Sequence, residues 1–260
     1  IYYCVDEYSA FHGVRAETLR AMESELLAKA DLVITSSERL WQTKKQANPA
    51  TFLVRHGVDW KHFRRALDPR TPVPADLAAI RGPILGYFGL IGSDWVDQEL
   101  IESVARRMPN VSIVMIGKVT TDVTRLRELP NVHLLGHRPY SSLPSYCRGF
   151  DAAFIPFPIS DATLNANPLK AREYLAAGLP VISTAIPEVE ALGSCRIASD
   201  PGDFAVHAAA ALSQPGPQAQ LSDAMRTESW EARLAEIEGH IASISPRRLT
   251  GSLPSDRLAA

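Results

Sequence analysis

The chain has 260 residues, more than one average domain and enough to bury a large core without disulfide or metal staples. Its hydrophobic (46%) and charged (22%) fractions are ordinary globular values and exclude wholesale disorder. The 27 Lys and Arg nearly balance the 29 Asp and Glu, and a net charge of -2 leaves no footprint for non-specific nucleic-acid binding.

Cys4, Cys147 and Cys195 are far apart and odd in number, without zinc spacing, which favours a reducing compartment and predicts no metal site. No apolar run approaches the roughly 18 residues of a membrane span. The opening Ile1-Tyr2-Tyr3-Cys4-Val5-Asp6 lacks the basic start of a signal peptide. It also lacks Met and reads as an interior strand, so a fragment of a longer chain is expected.

In chain order, Ile1 to Val5 is a short β-rich run. Arg15 to Ala30 sets Leu19, Met22, Leu26, Leu27 and Ala30 at helical spacing. Asp31 to Thr35 reads as a strand and Arg55 to Asp59 as a turn. Asp68 to Pro83 holds five prolines or glycines and reads as a linker. Beyond it, short apolar strands are predicted at Ile84–Phe88, Val111–Ile116, Val132–Leu135, Ala152–Pro156, Pro180–Thr184 and Cys195–Ala198. Helical patterns at Trp95–Arg107, Pro168–Ala177 and Asp203–Ser213 separate most of them. This alternation predicts an α/β fold with a doubly wound parallel sheet. After the Pro215-Gly216-Pro217 break, Leu221 to Ile241 reads as a last amphipathic helix, and the Ser, Pro and Arg-rich tail as disordered.

Ligands of such sheets bind beyond the carboxyl ends of the strands. Three strand ends carry suitable residues. Gly86-Tyr87-Phe88-Gly89-Leu90-Ile91-Gly92 would let backbone approach a phosphate, although a plain strand-to-helix turn reads equally well. Near Asn165, Asn167 suits an N-cap and Pro168 the first helical position. The free N–H groups of Leu169 and Lys170, with the Lys170 ammonium, would then form an anion site. Glu173, one turn deeper on the same face, could accept two hydrogen bonds from a vicinal diol such as ribose. A surface Lys–Glu pair on a well-capped helix fits this spacing just as well. The third end, Leu135-Gly136-His137-Arg138-Pro139-Tyr140, offers His137 or Arg138 to a ligand, against the plain reading of a solvated loop pair.

Asn167 to Thr184 resembles the donor-binding signature of GT-B glycosyltransferases, closest to glycosyltransferase family 4. There a Glu-x7-Glu motif opens a helix that ends in an alanine-rich Gly-x-Pro-Val-Ile stretch. The resemblance extends to Ala30–Ser37, His56-Gly57-Val58-Asp59, Leu143-Pro144, Asp151–Pro156 and Ser229-Trp230-Glu231. It implies two Rossmann-like domains, with only the C-terminal donor domain complete. Residues 1–67 would be the back of an acceptor domain and 68–82 the linker. Residues 83–214 would be the nucleotide-sugar domain, 215–243 a closing helix that crosses back to the first domain, and 244–260 a disordered tail.

It further implies that Glu173 binds the nucleotide ribose. Two departures stand out. The first glutamate of the motif, which normally contacts the donor sugar, is Asn165. The cations that neutralise the diphosphate fall on Leu90 and Trp95, leaving Lys170, Lys118 or Arg138 to substitute, with Lys170 best placed.

The implied activity is hexosyl transfer, with retention, from a UDP- or GDP-sugar to a saccharide or lipid-linked acceptor in polysaccharide and cell-envelope assembly. Lys170 and Glu173 carry the catalytic roles, and Gly89, His137, Arg138, Asn165, Asn167, Pro168 and Leu169 complete the donor site. No metal or other cofactor and no nucleic acid is expected. The expected location is cytoplasmic, with at most weak peripheral contact at the inner membrane face. A sugar-nucleotide epimerase and a non-catalytic nucleotide-sugar-binding subunit are the rival readings.

Overall fold

The computed structural model describes residues 1–244. Apart from Ile244, the tail expected to be disordered lies outside them. The described strands form two parallel sheets. β1 (Tyr2–Cys4), β2 (Val33–Thr35) and β3 (Thr51–Leu53) make the first, in that order. The second contains β4 (Ile84–Phe88), β5 (Ser112–Ile116), β6 (Val132–Gly136), β7 (Ala152–Ile155), β8 (Val181–Thr184) and β9 (Arg196–Ala198). Its order is β6-β5-β4-β7-β8-β9, so chain direction across the sheet reverses between β4 and β7. That reversal opens a crevice at the ends of the two strands.

Every residue of β4 and β5 is buried, as expected of parallel strands covered on both faces. Leu85, Tyr87, Ile113 and Met115 enter one apolar layer, with Leu100, Val104 and Phe204 from the helices. Ile84, Phe88, Val114 and Ile116 enter the other, with Phe150, Tyr174 and Leu175. Each such side chain contributes roughly 1.5–3 kcal/mol on burial.

Helix starts follow their caps. The helix expected from Trp95 begins at Gln98, because the Asp97 carboxylate accepts from Leu100 N at 2.9 Å. Ahead of it, Trp95 N and Val96 N both donate to the Gly92 carbonyl in a tight turn. The helix expected from Asp203 begins at Pro201, behind the cap Asp200. The single last helix expected over Leu221–Ile241 is two, Ala219–Ala224 and Trp230–Ser243, the second capped by Ser229. The first helix runs Ala16–Lys29, but its expected apolar face is not a core face: Leu27 is buried while Met22 and Leu26 are 59% and 50% exposed.

The Trp230–Ser243 helix lies against the first sheet. Ile237 and Ile244 pack on Leu32, Ile34 and Val54, and His240 stacks on Phe52 at 4.1 Å. Val58 N donates to the Glu228 carbonyl at 2.9 Å, tying the exit from β3 to the start of this crossing.

Candidate active site

The ends of β4, β5 and β6 are stitched by glycine backbone. Gly89 N donates to the Ile116 carbonyl and Gly117 N to the Gly136 carbonyl, both at 2.9 Å. Gly89 and Gly117 have φ of +146° and +154°, and a Cβ on Gly117 would stand 1.7 Å from the Gly89 oxygen. Only glycine permits both the conformation and the approach.

The Leu169–Ala176 helix points its N-terminus at this crevice. Phe88 N at the end of β4 donates to Tyr174 Oη at 2.8 Å, which pins the helix to the strand. Its cap is Pro168, not Asn167. The Asn167 side chain is occupied elsewhere: Nδ2 donates to the Ser36 carbonyl at 2.6 Å and Oδ1 accepts from Arg172 Nη1 at 2.7 Å. Without a side-chain cap, the N–H groups of Leu169 and Lys170 have no acceptor among the described residues.

Lys170 Nζ stands 4.7 Å from the Phe157 ring centre and 5.6 Å from that of Tyr87. It is also 3.4 Å from where a Cβ on Gly89 would be. Burial lowers its pKa to about 8 although Glu173 opposes this. Burial likewise pushes the Glu173 carboxyl up to about 7, with Lys170 opposing. Neither side chain has a hydrogen-bond or ion-pair partner among the described residues. Two half-buried, opposite, unpaired charges on one helix face at the sheet's switch point are arranged for a ligand rather than for stability. The ammonium and the two N–H groups suit a diphosphate, and the carboxylate suits hydroxyl groups one turn deeper.

The remaining candidates are placed differently. Arg138 is held by Asp76 and Tyr146, at 2.7 Å each, so it is not a free cation. His137 is exposed. Asn165 Nδ2 donates back to the Asp161 carbonyl at 2.7 Å. Lys118 is exposed. Leu90 is 42% exposed, and Trp95 packs between Phe11 of the first sheet's unit and Phe157, at 5.6 and 5.2 Å.

The sequence reading passed over Tyr140, which lies beside Glu173: the Glu173 charge contributes, after burial, to its raised pKa. Tyr140 also stacks on His62 at 4.6 Å. It passed over the rings around Lys170 as well. Gly117, directly after an apolar strand like Gly89, was a legible signal. Among the described residues no three His, Cys, Asp or Glu side chains converge as metal ligands, and no helix is long and apolar enough to cross a membrane.

The family model for the glycosyl transferases group 1 matches residues 83–214. The chain is 25% identical over 261 residues to the putative teichuronic acid biosynthesis glycosyltransferase TuaH of Bacillus subtilis (strain 168), covering 91% of this chain and 65% of that protein. Among solved structures it is similar to Alr3699/HepE of Anabaena in complex with UDP: TM-score 0.71, 16% identity, 93% of this chain and 71% of that one. Sucrose-phosphate synthase of Thermosynechococcus elongatus matches with TM-score 0.63 and 18% identity, over 88% of this chain and 63% of that one. The chain thus spans less than two thirds of TuaH and of the synthase, and it shares with the solved neighbours the GT-B arrangement of two Rossmann-like units. With the family model matched from β4 to the end of the helix after β9, the chain belongs to the glycosyl transferases group 1.

Proposed function

We propose that the protein transfers a hexosyl residue from a nucleotide-diphosphate sugar to a saccharide or lipid-linked acceptor in cell-envelope polysaccharide assembly. The observation that carries this is the pairing of Lys170 and Glu173, unpartnered and half-buried, at the switch point of the sheet. Likeness to TuaH supports the polysaccharide setting, and the UDP and UDP-glucose complexes of HepE support the donor class.

In this reading the diphosphate sits on the Leu169 and Lys170 N–H groups and the Lys170 ammonium. As the bond from the anomeric carbon to the diphosphate oxygen breaks, negative charge accumulates on the leaving group, where these donors already point. The aromatic rings around Lys170 exclude water and strengthen its field. Glu173 accepts the ribose hydroxyls and fixes the nucleotide. Retention and a metal-free leaving-group stabilisation complete the proposal. The product's anomeric configuration tests the first, and unchanged turnover in EDTA the second. The work would take place at the cytoplasmic side, with at most peripheral membrane contact.

Calorimetric titration with UDP, GDP and ADP, repeated on Glu173→Ala, tests the donor site. One nucleotide should bind, and loss of the carboxylate should weaken it by roughly 1–3 kcal/mol. If the folded protein binds none, the proposal fails. Leu90 and Trp95 at the positions where the resemblance places cations favour a second reading, a nucleotide-sugar-binding subunit without turnover. Saturable binding of a UDP-sugar with no release of UDP in the presence of acceptor would select it.

A further inference from the structure

Asp6 follows the C-terminal end of β1. The carboxyl ends of a parallel sheet open on one side, and here that side meets the start of the Leu169–Ala176 helix. The Ser36 carbonyl, just after β2, accepts from Asn167 Nδ2, and Ser37 Oγ donates to the Asn165 carbonyl, both at 2.6 Å. Ser36 Oγ also donates to the Val5 carbonyl at 2.6 Å, which ties the residue next to Asp6 into the same junction. The Tyr8–Ala10 turn packs on the Asp161–Asn165 helix.

The acids near β1 differ in what they hold. Glu7 accepts from Lys44 Nζ at 2.7 Å and Ser9 Oγ at 2.6 Å. Glu23 accepts from Lys44 Nζ at 2.8 Å and Tyr2 Oη at 3.0 Å. Asp6 is as sheltered as they are, yet among the described residues nothing donates to its carboxylate and no cation pairs with it. Burial alone pushes its carboxyl up to about 6. Its oxygens are not among the buried unpartnered atoms of the described residues, so water reaches them and a ligand hydroxyl can take the water's place. Across the junction Asn165 Nδ2 donates one hydrogen bond back to the Asp161 carbonyl, which ties its amide to its own helix.

The site's polarity gives the location of the ligand part that would meet Asp6. With ribose at Glu173 and the diphosphate at Leu169 and Lys170, the sugar at the far end of the diphosphate lies outward of the helix N-terminus, toward the sheet edge that carries Asp6. We propose that Asp6 is a specificity-determining residue, whose carboxylate accepts hydrogen bonds from hydroxyls of the transferred sugar across the cleft from Lys170. This rests on the nucleotide-sugar reading above.

The test is calorimetry of UDP and of UDP-glucose, UDP-galactose and UDP-N-acetylglucosamine with the whole protein, Asp6→Asn and Asp6→Ala. The readout is the ratio of the Kd of the best-bound UDP-sugar to that of UDP. Loss of a sugar contact raises this ratio at least threefold in both variants, while Glu7→Gln, whose carboxylate holds Lys44, leaves it unchanged. A ratio that moves less than threefold in either Asp6 variant overturns the proposal, and this includes a general defect that weakens UDP and UDP-sugar alike. UDP binding with an unmoved ratio removes Asp6 only and leaves the donor site standing. If the unaltered protein binds GDP or ADP in place of UDP, the same ratio is read with that nucleotide and its sugars; failure to bind any of the three nucleotides removes both.

Discussion

Lys170 and Glu173 each resist the charge that their proposed role requires. Burial holds Glu173 near 7 and Lys170 near 8, so the site carries both charges best in the interval between. Binding of UDP-glucose, whose diphosphate diester does not titrate in this range, should therefore follow a bell between pH 5.5 and 9.5. Affinity rises through about 7 as Glu173 ionises and falls through about 8 as Lys170 loses its proton. Glu173→Gln should abolish the acid limb and Lys170→Met the alkaline one; a flat profile in the unaltered protein would refute the assignment. The same residue bears on stability. The folded carboxyl titrates near 7 and the unfolded one near 4.5, so the native state holds the proton longer and stability falls as pH rises through that window. At pH 8 Glu173→Gln should stabilise the fold by about 1–3 kcal/mol while losing nucleotide, a trade of stability for function. The helical spacing of Lys170 and Glu173 was readable in the sequence, but the absence of partners was not. Asn167 shows the limit: as a residue type it is a good cap, yet the Ser36 carbonyl and Arg172, brought close by the tertiary fold, claim its amide.

Elements were legible where they are buried and regular. β4 coincides with its apolar run, and the other strands of the second sheet lie within a residue or so of theirs; for β4, β5 and β7 the reason is burial on both faces, which demands a continuous apolar run. β3 and the Glu38–Ala47 helix escaped notice. Thr51–Leu53 is too short for a period, and only the Ser37 cap announces the helix. The Met22 face misled because helical spacing of apolar residues does not say what covers them. Gly89 was visible as a turn glycine, but its dependence on Gly117 appears only when β4 and β5 stand side by side. Gly117→Ala puts a methyl group 1.7 Å from the Gly89 oxygen at a φ of +154°. Separating these strand ends should cost about 2–4 kcal/mol in urea unfolding and weaken nucleotide binding as well. Gly13→Ala is the comparison, since its Cβ meets nothing within 4 Å and only backbone strain at φ +78° remains. Equal losses at the two glycines would mean that strain, not the contact between strand ends, explains Gly117.

At the scale of the whole chain, the two sheets are joined through a charge cluster behind the Leu169–Ala176 helix. Arg172, 1% exposed, donates Nε to Glu228 Oε2 at 3.1 Å, and Arg233 Nη2 donates to the same oxygen. Arg172 also holds Asn167, which holds Ser36, so one guanidinium reaches the helix carrying Lys170, the carboxyl end of the first sheet's central strand and the crossing segment. A second link runs from Arg55 Nε and Glu38 N to the buried Glu188, at 2.7 Å each. None of this was legible in the sequence, because the partners are 56 residues apart at Glu228 and 133 or 150 apart at Glu188. Burial raises the Glu228 pKa, but hydrogen bonds from Arg233 and Arg172 outweigh it and the net shift is downward. Its contribution to stability is thus present above the ordinary carboxylate range and lost as pH falls through the lowered value. Glu228→Gln keeps the shape and removes the charge, leaving Arg172 without its ion-pair partner and Arg233 with Glu236 alone. Breaking one side of such a cluster costs about 3–5 kcal/mol when fully buried, and the partial exposure of Glu228 places the expected loss near 2–4 kcal/mol. The loss should appear in urea unfolding at pH 7 and shrink as pH falls below the ordinary carboxylate range, through the lowered value at which the native carboxylate takes its proton. Amide exchange should quicken first in the Trp230–Ser243 helix, which Glu228 ties to the unit of the second sheet. A loss under about 1 kcal/mol, or one that does not depend on pH, would show that apolar packing of Ile237 and Ile244 on the first sheet, and not the charge cluster, holds the two halves together.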